Sequence, residues 1–340
     1  MKKLREDITK QLRSLAITKQ LNFLIGSGVC FDVIPGMGDK AYRNDEIENK
    51  PWVSLSVNDK EDVSKKLTAK VSEVSSELLS DSPGEDVANL QKSFDGFMQS
   101  IVSVLNLSNS RQTPRSANIF STNYDLFIEK SADNVLKTNR LVFNDGASGY
   151  FERYLDGQNY NRLVSYKGLN DNYISEIPQI SLIKPHGSIN WQKTSDGKIQ
   201  IKNEVVSNSE VVNPLGFESE DTFLNNHFHE MLRLFQLELD KPQTVLFVSG
   251  FSFQDPHISK MVSRAIQNPE LLTYVFAYDD KAKIDILNNI KISERVNFKV
   301  LTPRDIFENV EIEDKLTLEV LTEILNGSSL EDLKENGSSK

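Results

Sequence analysis

Short uninterrupted apolar runs, each ending in a polar or glycine-rich loop, recur along this chain. Leu21–Ile25 runs into Gly26-Ser27-Gly28, and Asn118–Ser121 into Thr122-Asn123-Tyr124-Asp125. Ile180–Ile183 runs into Lys184-Pro185-His186-Gly187, and Thr244–Ser249 into Gly250-Phe251-Ser252-Phe253. Leu272–Tyr278 ends at Asp279-Asp280, and Phe298–Leu301 at Thr302-Pro303. Runs of this length without period-two alternation predict strands buried on both faces, as in a parallel sheet covered by helices. Helical patterns lie between them, one over Leu126–Leu136. Asp255-Pro256 reads as an N-cap followed by an N1 proline and opens a helix to about Ile266; Thr302-Pro303 repeats that signal. Strand, polar loop and helix in alternation predict an α/β fold with a doubly wound, Rossmann-like parallel sheet. Such sheets bind ligands at the carboxyl ends of their strands, where the unusual loops of this chain lie.

Two stretches break the pattern. Residues 40–112 are polar and charged, with helical spacing at Val71, Val74, Leu78 and Leu79, and predict a helical insertion. Residues 139–179 are rich in Asn, Gly, Asp and Tyr and predict a second insertion, irregular or β-containing. Residues 1–20 read as an amphipathic helix and not a signal peptide, because no continuous apolar segment or small-residue cleavage site follows the basic start. The expected organisation is this helix, a domain over 21–315 carrying both insertions, and a polar C-terminal helix and tail over 316–340, disordered from Asn326 onward. No internal repeat is present.

Composition narrows the class. The chain has 340 residues, of which 38% are hydrophobic, enough for a substantial core. With 39 Lys and Arg against 49 Asp and Glu the net charge is −10, which argues against nucleic acid as a direct partner. No run approaches the ~18 apolar residues of a membrane span. The one cysteine, Cys30, excludes an internal disulfide framework and any four-cysteine zinc site. A reducing cytoplasm is the expected compartment.

Each strand-end loop has two readings. Gly26-Ser27-Gly28 is either a plain turn or a phosphate-approach loop; it lacks the full dinucleotide fingerprint, with Phe31 where a third glycine belongs, which disfavours hydride transfer. Thr122, Asn123 and Asp125 either cap the next helix or line a site. His186 is a core histidine or a proton-transfer group, with Gly187 allowing close approach. His227 and His229 lie on one helix with rings splayed by about 200°, so they read as structural and not as metal ligands. His257 reads as a first-turn cap or surface residue, and Trp52 and Trp191 as packing.

Taken in order, the glycine loop, Ser121–Asp125 (STNYD), Lys184–Trp191 (KPHGSINW) and Gly250–Ile258 (GFSFQDPHI) resemble the sirtuin superfamily of NAD-consuming proteins. They are most similar to its bacterial anti-phage defence members. The resemblance implies that Gly26, Ser27 and Gly28 hold the NAD pyrophosphate, and that Asn123 positions ribose or water beside the nicotinamide riboside bond. It makes His186 the catalytic histidine and gives Asp125 a part in holding the nicotinamide end. Cys30 and Thr122 stand at the motif positions of a family Ser and Gln. Gly250, Ser252 and Phe253 fall near phosphate and the adenine ribose, and Tyr278 and Asp279 near the adenosine end. A D-F-R segment typical of the family's deacylases is missing after Ile34-Pro35, and one cysteine cannot build their zinc module.

These departures favour an NAD hydrolase, releasing nicotinamide and ADP-ribose, over a protein-lysine deacylase or a non-catalytic NAD-sensing scaffold. Cleavage of this bond builds positive charge on the ribose, as glycoside cleavage does, so NAD is expected as substrate with no metal. Because free NAD hydrolysis is toxic, a gated and oligomeric enzyme is expected. The family resemblance implies an ATPase or a phage-derived trigger as its partner. The N-terminal helix and the helical insertion are the candidate assembly surfaces.

Overall fold

The computed structural model describes residues 2–48, 50, 52–108, 114–166, 176–212 and 226–327. Chain order runs α1 (Glu6–Thr18), β1 (Gln20–Ile25), a 3-10 turn at Ser27–Cys30, α2 (Val57–Leu79), α3 (Glu85–Leu107), β2 (Ser116–Ser121) and α4 (Phe127–Leu136). The short strands β3 (Val142–Asn144), β4 (Ala147–Ser148) and β5 (Arg153–Leu155) come next, then β6 (Gln179–Ile183), β7 (Gly187–Lys193), β8 (Ile199–Ile201) and β9 (Ser209–Val211). The chain continues through α5 (Asn226–Leu239), β10 (Thr244–Ser249), α6 (Pro256–Ala265), β11 (Leu271–Phe276), α7 (Asp280–Ile290), β12 (Phe298–Leu301), α8 (Pro303–Ile306) and α9 (Leu318–Asn326).

Seven strands form one sheet in the order β12-β11-β10-β1-β2-β6-β3, and every neighbouring pair is parallel. All six strands expected from the apolar runs are in it. Alternate residues of each strand enter opposite cores. Phe23, Ile119, Leu182 and Phe247 face α1, α3, α4 and α9, while Leu24, Phe120, Ile183 and Leu246 face α5, α6 and α7. Burial on both faces removes any polar-out positions, which is why these strands read as continuous apolar runs.

The chain order places β2 and β6 on one side of β1 and β10, β11 and β12 on the other. The carboxyl ends of β1 and β10 therefore flank the point where the winding reverses, where open α/β sheets hold ligands.

The helical segment of 40–112 supplies α2 and α3, and α3 is more than an appendage. It is the crossover between β1 and β2, and Phe97 meets Phe23 edge-on with centroids 5.1 Å apart. Helix α1 buries Leu12 and Ala16 inside the chain. The C-terminal helix was expected to be polar, but α9 buries Leu318, Val320, Leu321, Ile324 and Leu325 against α3 and α1. Residues 328–340, expected as a disordered tail, and 167–175 of the second insertion lie outside the described residues.

A second sheet takes β4 and β5 from the insertion expected to be irregular or β-containing, and its other strands from the chain after His186. It is antiparallel, in the order β4-β5-β8-β7-β9. Its strands β4, β5, β8 and β9 are two or three residues long, too short to leave a periodic signal, and β7 begins immediately after His186. The turn bearing His186 is thus where the chain leaves one sheet for the other. Among the described residues, no helix is long and apolar enough to cross a membrane.

Candidate active site

The loops after β1 and β10 meet backbone to backbone. Gly28 N–H donates to Gly250 O at 2.8 Å, and Gly26 N–H donates to Ser249 O at 3.0 Å. A Cβ on Gly26 would fall 2.5 Å from Gly250 O, and one on Gly28 would fall 2.8 Å from the same atom. Gly250 has φ +67°, and its own Cβ would lie 2.5 Å from Val29 N. Three glycines are required here because two turns share one space. Since the Gly26 and Gly28 N–H groups are already engaged, the glycines let the two turns pack together more than they supply free anion donors.

The end of β2 carries a buried polar cluster. Asn123 Nδ2 donates to Gly26 O at 3.2 Å and approaches Cys30 Sγ at 3.7 Å. Asn123 is 6% exposed, yet among the described residues its Oδ1 has no hydrogen-bond partner. A buried unpaired acceptor costs about 1–3 kcal/mol, a cost that a hydroxyl or water donor from a ligand would remove. Cys30 Sγ donates to Asp125 Oδ2 at 3.6 Å. Burial, then the adjacent Asp125 charge, pushes the Cys30 thiol well above its ordinary range, so it stays protonated. Burial also raises the Asp125 carboxyl, against the pull of the Lys184 ammonium. Cys30 links Asn123 to Asp125 through its thiol and is itself buried in the apolar core.

The end of β6 is fixed by a fully buried lysine. Lys184 Nζ donates to Asp125 O, to Glu129 Oε1 at 2.6 Å and to Ser188 Oγ at 3.0 Å. The Asp125 carbonyl lies on the loop that carries Asn123, and Ser188 lies at the start of β7 just after His186, so one ammonium ties the two segments together. Beyond it His186 Nε2 lies 2.9 Å from Asp255 Oδ2. Asp255 Oδ1 accepts from His257 N at 2.7 Å and Ile258 N at 3.2 Å, capping α6. Burial alone would raise the Asp255 carboxyl, but the hydrogen bond and charge of His186 and the two backbone donors outweigh it and hold it below the usual range. Gly187, expected to admit a substrate, has another cause. It sits at φ +82°, and a Cβ would lie 2.1 Å from Glu210 O on β9.

The remaining candidates divide. Thr122 N–H donates to Ile25 O at 3.1 Å, binding the β2 loop to the end of β1. Ser252 is exposed at the end of β10, with its carbonyl accepting from Asn289 Nδ2 at 2.8 Å. The Phe253 side chain is 1% exposed in the α5–α7 core, so only its backbone is open to a ligand at this loop. Tyr278 is half exposed, with Lys315 Nζ 5.0 Å above its ring. Asp279 caps α7 through Ala282 N at 2.8 Å and pairs with Lys315 Nζ at 3.0 Å, so both its oxygens are engaged.

Sequence reasoning missed Lys184 as a brace and Asp255 as the partner of His186. Asp255 was legible only as a cap, because its second contact spans 69 residues of chain. His227 lies on α5; burial, then the Lys193 charge, pushes its imidazole down to about 4. Among the described residues, no group of three or more His, Cys, Asp or Glu is placed to hold a metal.

A family profile described as a SIR2-like domain matches residues 117–301, more than half of the chain. A solved Sir2 homologue in complex with NAD is 14% identical, with a TM-score of 0.45, over 94% of this chain and 92% of that one. A mutant Sir2 homologue in complex with ADP-ribose is 12% identical, with a TM-score of 0.37, over 84% of this chain and 99% of that one. Curated proteins gave no match.

Proposed function

The chain belongs to the SIR2-like domain family, and on that premise we propose that it is an NAD glycohydrolase, cleaving the nicotinamide–ribose bond with water. The observation that carries this reading is the buried Asn123 Oδ1, unpaired among the described residues, in the loop after β2, the strand next to β6, whose own following loop carries His186. A ribose hydroxyl or water has the hydrogen that atom lacks, so the residues present fit the substrate. The crevice at the ends of β1 and β10 would take the pyrophosphate, with Ser252, Tyr278 and Asp279 toward the adenosine end.

In the proposed reaction the bond from the ribose anomeric carbon to the nicotinamide nitrogen breaks, and its electron pair stays on nicotinamide. A water oxygen bonds to the carbon and the proton of that water passes to His186. Asn123 orients the water or the ribose, and Asp125 and Lys184 hold Asn123 and His186 in register. A single cysteine leaves the chain unable to form the four-cysteine module of the deacylases. The motif order supports a role as a gated effector of anti-phage defence, oligomeric and released by a partner.

The test is nicotinamide release by purified Asn123→Ala and His186→Ala proteins. Loss of a general base or an orienting group is expected to slow release about 10²–10⁴-fold. Wild-type rates in both variants would sink the assignment.

A further inference from the structure

The His186–Asp255 pair carries more than proximity. Asp255 divides its two oxygens. Oδ1 accepts the His257 and Ile258 N–H groups at the start of α6, and Oδ2 faces His186 Nε2 at 2.9 Å. A carboxylate only accepts, so the imidazole nitrogen facing it must carry the hydrogen. The neutral ring then has its hydrogen on Nε2 and its lone pair on Nδ1. Among the described residues Nδ1 has no hydrogen-bond partner. The β6–β7 turn fixes the backbone on the other side: Gly187 N–H donates to Lys184 O at 3.0 Å, and His186 O accepts Val212 N–H at 2.9 Å.

We propose that Asp255 is the positioning residue of the reaction, fixing His186 in the tautomer whose Nδ1 is the proton acceptor. This deepens the hydrolase reading and rests on it. Asp255 touches no reacting atom and acts through His186. Because it also caps α6, the orientation of the imidazole is set by a helix packed into the core through Ile258 and Val262. His–carboxylate pairs elsewhere work by this logic, holding tautomer and ring orientation without moving the carboxylate's own proton.

The divided oxygens make one substitution diagnostic. Asparagine is as good an N-cap as aspartate. In Asp255→Asn the two backbone N–H groups need an acceptor, so the amide oxygen takes the Oδ1 place. The NH₂ group then faces His186 Nε2 as a donor. Nε2 must become the acceptor and the hydrogen must move to Nδ1. The cap is kept and the tautomer is inverted.

The experiment is ¹⁵N NMR of the imidazole nitrogens in the full chain, with His186 assigned by loss of its signals in His186→Gln, alongside nicotinamide release. The expected result is Nε2–H in the wild type, Nδ1–H in Asp255→Asn, an unchanged melting temperature, and nicotinamide release at least 100-fold slower with KM little changed. Asp255→Ser, which keeps a capping oxygen but loses the His186 contact, is expected to give mixed tautomers and serves if the asparagine variant does not fold. A wild-type Nδ1–H tautomer, or a tautomer and rate unmoved in both variants, would overturn the proposal. If the wild type releases no nicotinamide either alone or with any candidate partner, the hydrolase reading fails on its own, while the tautomer spectra still decide the geometry.

Discussion

Replacing Lys184 with methionine tests the brace that joins the two site segments. The substitution keeps much of the aliphatic stem and removes the ammonium from Glu129, the Asp125 carbonyl and Ser188. Removing one partner of a buried ion pair costs about 3–5 kcal/mol, because the other charge stays buried without compensation. The Glu129 side chain is 22% exposed, so water recovers part of that cost and about 3 kcal/mol is expected.

The pH dependence has a definite sign. Burial raises both Glu129 and Asp125, with Lys184 pulling the other way. A carboxyl raised in the folded state contributes stability that is complete below its unfolded value and lost as pH rises through its folded value. Without Lys184 both rise further, so Lys184→Met should cost more at pH 8 than at pH 5. Urea unfolding followed by tryptophan fluorescence reads this directly, since Trp191 and Lys184 line the same small cavity. The double variant Lys184→Met/Glu129→Gln removes the stranded charge and should recover at least about 1 kcal/mol. A loss below about 1 kcal/mol in the single variant, or a double variant no more stable than the single, would refute the argument.

Other outcomes follow from the same geometry. Gly250→Ala should lose about 1–3 kcal/mol from a left-handed backbone alone. Its Cβ would also press on the Val29 amide, so thermal melting should fall together with NAD affinity by calorimetry. Cys30→Ser keeps a donor to Asp125 and should retain stability, whereas Cys30→Ala strands that buried oxygen at about 1–3 kcal/mol, measured by urea unfolding. His227 is depressed to about 4 from 6.5. A histidine depressed on folding contributes stability that is present above its unfolded value and lost as pH falls, so the wild type should weaken between pH 6.5 and 4. His227→Gln should flatten that part of the melting-temperature profile.

The parallel sheet was legible because strands buried on both faces leave unbroken apolar runs, and its strand-end loops pointed to Asn123, Asp125 and His186. What was hidden depends on contacts distant in sequence. Gly26 and Gly28 looked like a phosphate loop, and only the turn at Gly250 shows why glycine is needed there. Cys30 and Phe253 sit in motif-bearing loops, but their side chains turn into the core. Helix α3 read as part of a polar insertion because its neighbour α2 is polar, although α3 itself covers the sheet. The pairing of Asp255 with His186 joins the start of a helix to a turn between two sheets, and no local pattern records it.

The central claim is that this crevice hydrolyses NAD. The most direct measurement is to incubate the full chain with NAD, with and without candidate partners, and identify the products by chromatography and mass spectrometry. The account predicts nicotinamide and ADP-ribose in equal amounts, formed without any acyl-peptide. NAD bound but recovered intact under every condition, or an acyl-ADP-ribose formed only when an acyl-lysine peptide is present, would contradict it.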